Sequence, residues 1–173
     1  MSELEHVEKN NTGGDTMFQK ILVPLDGSKL AECALPYAEE LAKGCNTEEV
    51  VLVSVTERIK GYRPIEDPSG ALEQRLIPEA VGKKERQAQR YLGKIAKALE
   101  AKGIRARTEV LLGNPAEEIA IFAKYNSADV IVMSSHGRSG PSRWTHGSVA
   151  DKIFRASCVP VLMVRAPGCV PDI

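Results

Sequence analysis

An excess of charge of either sign is missing from this chain, whose 173 residues hold 23 Lys+Arg against 23 Asp+Glu. Without net charge there is no global pull toward nucleic acid or an anionic membrane, so partners must be argued from local features. Aromatics are scarce at 5%. The basic run Lys83, Lys84, Arg86 and Arg90 has neither interleaved rings nor a broader patch around it, which makes it a solvated helix face rather than a nucleic-acid surface. The four cysteines, Cys33, Cys45, Cys158 and Cys169, form no Cys-x-x-Cys pair and lack the His/Cys spacing of a zinc site. They are expected to be reduced packing thiols, with no metal bound. The first sixteen residues, "MSELEHVEKNNTGGDT", carry four acids, one lysine and no apolar core, unlike a signal peptide or membrane anchor. The expectation is a cytoplasmic protein with a flexible polar extension over residues 1–16, and Met17 is a candidate native start. Two reactive signatures are also absent, the GxxxxGK[ST] phosphate loop and the GxSxG nucleophile elbow.

What is present is a regular alternation. "FQKILVPLD" (Phe18 to Asp26) and "EVVLVSV" (Glu49 to Val55) are apolar runs of the kind a strand covered on both faces needs. Between them Ser28 is a plausible N-cap, and Leu30, Ala34, Ala38, Leu41 and Ala42 recur at helical spacing. Pro36 inside that stretch predicts one helix of about four turns, kinked rather than broken. Thr56 to Val81 contains Gly61, Pro64, Pro68, Gly70 and Pro78, which predicts an irregular insertion with at most a single helical turn. Residues 82–103 form a clear amphipathic helix ending at Gly103. "RARTEVLLG" is a third strand. "NPAEEIAIFAKYN" opens a helix with Asn114 as N-cap, Pro115 at the first position and Glu117 and Glu118 in the first turn. "ADVIVMSS", "GSVADKIFRAS" and "VPVLMVR" complete a β-α-β-α-β-α-β-α-β order, hence an open doubly wound α/β fold with five parallel strands and helices on both faces.

In such a sheet the ligand crevice lies beyond the carboxyl ends of the strands, where the strand order reverses. For order 3-2-1-4-5 the reversal falls between strands 1 and 4. Asp26 then faces "MSSHGRSGPSRWTHGSVAD" (Met133 to Asp151). Gly137 permits close backbone approach, and Gly147-Ser148 opens a helix whose free N–H groups and dipole favour a phosphate. With no lysine following the glycines, positive charge is left to Arg138, Arg143 or a divalent cation. His136 and His146 are of the residue type most used for acid–base work, but no carboxylate or nucleophile is placed to complete a triad with them, so loop roles are favoured and no catalytic residue is assigned. Asp26 is equally readable as a binding carboxylate or as a turn residue. Trp144 and Pro141 are read as cover for the sheet end.

These letters resemble the nucleotide-binding branch of the universal stress protein (UspA-type) family. Its pattern, Gly-x-x-Gly, nine residues, then Gly-Ser/Thr, is matched by Ser134-Ser135-His136-Gly137, Arg138 to His146, and Gly147-Ser148, with Ser134 in place of the first glycine. "ILVPLDGS", "SVTE", "GNPAEEI" and "VPVLMVR" also fit, so the resemblance covers about residues 17 to 166. The resemblance implies adenine and ribose contacts from Pro24, Asp26, Val55, Met133 and Ser134. It implies phosphate contacts from His136, Gly137, Arg138, Gly147, Ser148 and Val149. A serine at 134 narrows the pocket if the family glycine admits the ligand closely, and is tolerated if the backbone torsions are ordinary.

The resulting expectation is a cytoplasmic universal stress protein that binds ATP, with or without Mg²⁺, or another adenine nucleotide, and works as a ligand-dependent switch in stress response or signalling. Alternatives are a slow ATP hydrolase or nucleotide transferase, and a ligand-free dimeric interaction module. The apolar final strand, residues 160–165, at a sheet edge points to a homodimer, as does the family resemblance. Residues 17–166 form the domain, 56–81 its irregular insertion and 167–173 a C-terminal tail.

Overall fold

The computed structural model describes residues 17–56, 79–136 and 147–165. The polar extension, residues 57–78 of the insertion, Gly137, Arg138, Pro141, Arg143, Trp144, His146 and the tail with Cys169 lie outside the described residues. Five parallel strands, β1 (Lys20–Pro24), β2 (Glu49–Thr56), β3 (Ala106–Leu112), β4 (Val130–Ser134) and β5 (Val161–Val164), form one sheet of order β3-β2-β1-β4-β5. This is the expected doubly wound architecture.

The apolar runs are continuous because both faces of the central strands are covered. From β1, Ile21 and Val23 join Val50 and Leu52 on one face, while Leu22 joins Val51, Val53 and Ile131 on the other. Leu22 stands in register with both Val51 and Ile131. The first face is roofed by α1 (Lys29–Glu32), α2 (Leu35–Gly44) and α3 (Glu79–Glu100), which supply Ala31, Ala38, Leu92 and Leu99, with Ala34 from the junction of α1 and α2. The second is covered by α4 (Pro115–Tyr125) and α5 (Ser148–Ala156), through Ala116, Ile119, Ala123 and Ile153. Burying a side chain the size of Leu22 or Ile131 contributes about 1.5–3 kcal/mol. The outer strands β3 and β5 are only partly covered.

The kinked helix predicted around Pro36 is instead two helices. Pro36 has no N–H to offer the Glu32 carbonyl. The bonds just before it tighten to a three-residue span, Cys33 N to Leu30 O and Ala34 N to Ala31 O, each 3.2 Å. The chain restarts at Leu35, with Pro36 in the first turn of α2, where the missing donor costs nothing. Two boundaries also move. Thr56 belongs to β2, and α3 begins at Glu79, so residues 79–81 extend the amphipathic helix rather than the insertion. Its far end closes as read, with Gly103 N bonded to Glu100 O and Ile104 N to Leu99 O, the paired bonds of a Schellman motif. Cys158 departs from the packing expectation: it is exposed between α5 and β5, while Cys33 and Cys45 are half-buried. Among the described residues no helix is long and apolar enough to cross a membrane.

Candidate functional site

At the carboxyl end of the sheet a cavity of about 770 Å³ opens, within the size range of small-molecule sites. Its floor is made by the ends of β1, β2 and β4, its walls by α3 on one face and by α4 and α5 on the other. Of the eleven residues expected at a ligand site, nine line it: Pro24, Asp26, Val55, Met133, Ser134, His136, Gly147, Ser148 and Val149. The other two, Gly137 and Arg138, lie outside the described residues.

The distribution of polarity singles the cavity out. Among the described residues the buried polar side chains are Ser54, Ser134, Ser135 and His136, and all four line this cavity. Burying such groups is costly unless they are hydrogen-bonded. The Ser135 hydroxyl and His136 Nδ1 lie 3.0 Å apart, which holds the ring, and the Ser134 hydroxyl accepts from His136 N at 3.4 Å. Ser134 ends β4 and pairs with Val164. It is absent from the residues with positive φ, so its torsions need no glycine, and its side chain bonds locally. The Asp26 Oδ1 accepts from Ser28 N at 2.9 Å. That carboxylate is therefore a turn-former and a cavity wall together, and Gly27, at φ +86°, supplies the left-handed step that lets β1 pass into α1.

The start of α5 is built for close approach. Gly147 N donates to Ser135 O at 2.8 Å, and a Cβ on Gly147 would lie 3.2 Å from that same oxygen. Only glycine fits there without moving the strand end. The consequence is a helix start with no side-chain cap, its first amides served by neither hydroxyl nor carboxylate of the cap residue. Asp151, the acid of its first turn, is held along the helix by Arg155 Nε at 3.0 Å. An uncapped helix N-terminus presents N–H donors and partial positive charge.

Several lining residues were not singled out from the chain. Ser54 and Ser135 sit beside residues that were, at the ends of β2 and β4. Lys84, Gln87, Ala88 and Tyr91 form the α3 wall; Lys84 is exposed, as a solvated face requires, and also reaches the cavity rim. Their signal is the inner stripe of α3: stepping back from the buried Leu92 by helical spacing reaches Ala88 and then Lys84. Tyr91 is tied across to α1, its hydroxyl 3.3 Å from Glu32 Oε1. Among the described residues no cluster of three His, Cys, Asp or Glu side chains could hold a metal ion.

Residues 17–165 match the model of the universal stress protein family. Universal stress protein MJ0531 of Methanocaldococcus jannaschii is 34% identical over 154 residues, 89% of this chain and 86% of that one. The solved structure of MJ0577, from the same organism, is 30% identical, superposes with a TM-score of 0.72 and covers 88% of this chain and 99% of its own. A universal stress protein solved in complex with cAMP shares the fold, with a TM-score of 0.61 at 20% identity over 86% of this chain and 98% of that one.

Proposed function

The chain belongs to the universal stress protein family, and on that premise we propose that it binds an adenine nucleotide in the cavity over β1 and β4, as a switch in stress response or signalling. The observation that carries this reading is the uncapped α5 start facing the same cavity as the Asp26 carboxylate. Phosphates take the open amides at Ser148 and Val149 against the Cβ-free surface of Gly147, with His136, Gly137 and Arg138 beside them. Adenine and ribose lie over Pro24, Asp26, Val55, Met133 and Ser134. The cAMP held by a protein of the same fold supports the ligand class, and ATP is the proposed member of it. Asp26 is the one carboxylate of the described lining, so an Mg²⁺ ion would be carried chiefly on the phosphate oxygens.

The ligand acts by binding one conformational state more tightly than another. We place this switch in the cytoplasm, as a homodimer joined along the β5 edge, where Leu162 is 39% exposed and Phe154 of α5 is 61% exposed; a monomer in sedimentation at tens of micromolar would exclude that assembly. Isothermal titration with ATP, AMP and cAMP, with and without Mg²⁺, tests the binding. Saturable heat with at least one of them is expected, and none at high micromolar ligand removes the reading.

A further inference from the structure

The cavity raises a question about charge. Its described lining carries one carboxylate, Asp26, and one basic side chain of the Lys/Arg class, Lys84 of α3. Lys84 takes part in no salt bridge or hydrogen bond with the described residues. All four basic residues of the run, Lys83, Lys84, Arg86 and Arg90, are exposed, but Lys84 alone of them lines the cavity.

Register explains why one lysine of the run is set apart. Gln89 Nε2 donates to Thr108 Oγ1 at 3.0 Å, and Thr108 is in register with Leu52. From 89 back to 84 the helix rises about 7.5 Å at roughly 1.5 Å per residue. That is about two strand residues at roughly 3.3 Å each, which brings Lys84 level with Ser54 and Val55 at the carboxyl end of β2. Lys84 also belongs to the stripe of Ala88 and Tyr91, one and two turns further on, both half-buried and both lining the cavity. The inward stripe of α3 thus continues past the end of the sheet, and at the rim its residue is a lysine. A flexible ammonium there meets an anion without first giving up an existing partner.

Building on the proposed nucleotide site, we infer that Lys84 is a specificity-determining residue, which makes the cavity favour phosphorylated adenine ligands over adenosine. It acts from the α3 wall, on the face of the sheet opposite the α5 amides, as a long-reaching charge at the β2 end of the cavity.

The test is calorimetric titration of ATP and adenosine into the wild type, Lys84→Met, Lys84→Arg and Lys83→Met at low and moderate salt. Lys83→Met removes the same charge one residue outside the lining. Lys84→Met is expected to weaken ATP about fivefold, the scale of a partly solvated charge pair, with adenosine unchanged. Its ATP affinity should depend less on salt, Lys84→Arg should retain affinity, and Lys83→Met should behave as wild type. Equal losses for ATP and adenosine would make Lys84 a shape element and overturn the inference, as would no loss at all or equal effects from the two methionine variants. A wild type that binds neither ligand would remove the site reading itself, a result distinct from those.

Discussion

Two helices begin at the carboxyl end of this sheet and against the same cavity, yet their first turns are opposites. At α4 the Asn114 side chain accepts from Ala116 N at 3.2 Å, Pro115 removes one donor, and Glu117 and Glu118 place carboxylates over the dipole. The Glu118 carboxylate packs so closely on Gly113 that a Cβ there would not fit. At α5 the cap is Gly147, with no side-chain bond, and the first-turn acid is drawn along the helix to Arg155. One start is sealed by its own side chains and disfavours an anion; the other has no side-chain cap. A helix N-terminus becomes a ligand site only where the local sequence leaves it unsatisfied.

The contrast can be broken directly. Gly147→Asp brings a Cβ against Ser135 O and a competing carboxylate onto the α5 amides, so nucleotide affinity should fall at least about thirtyfold; calorimetric titration with a thermal-melt control for folding measures it. Asp26→Ala should follow, with a loss of about tenfold through the removed acceptor. It also removes the bond from Ser28 N, so a small drop in melting temperature should accompany it. Asn114→Ala sharpens the comparison from the other side. It should cost about 1 kcal/mol of stability, seen in denaturant unfolding, while nucleotide affinity stays within error of the wild type.

Most of the architecture was legible because burial on both faces writes itself as unbroken apolar runs. "KILVP" and "EVVLVSVT" cannot serve as half-exposed strands, and the Asn114-Pro115 start carries its own cap chemistry. Pro36 misled because a proline reads alike as a kink or as the first turn of a new helix. The tightened bonds at Cys33 and Ala34 decide between them, and they are invisible in the letters. The floor of the site was legible since strand ends follow from the strands, and Gly147-Ser148 follows from the helix start. Its α3 wall was not, because Lys84 lies in a run of like, exposed charges and its place at the cavity rim depends on the register set by Gln89 and Thr108. The ordinary backbone torsions of Ser134 are likewise something residue type alone does not disclose.

In the proposed complex phosphate sits on the α5 start and not on the α4 start. Amide chemical shifts followed by NMR during titration with ATP and then adenosine test it most directly. The Ser148 and Val149 resonances should move with ATP, and much less with adenosine, while Ala116 and Glu117 stay still. Unmoved Ser148 and Val149 at saturating ATP, or larger shifts at the α4 start, would contradict it.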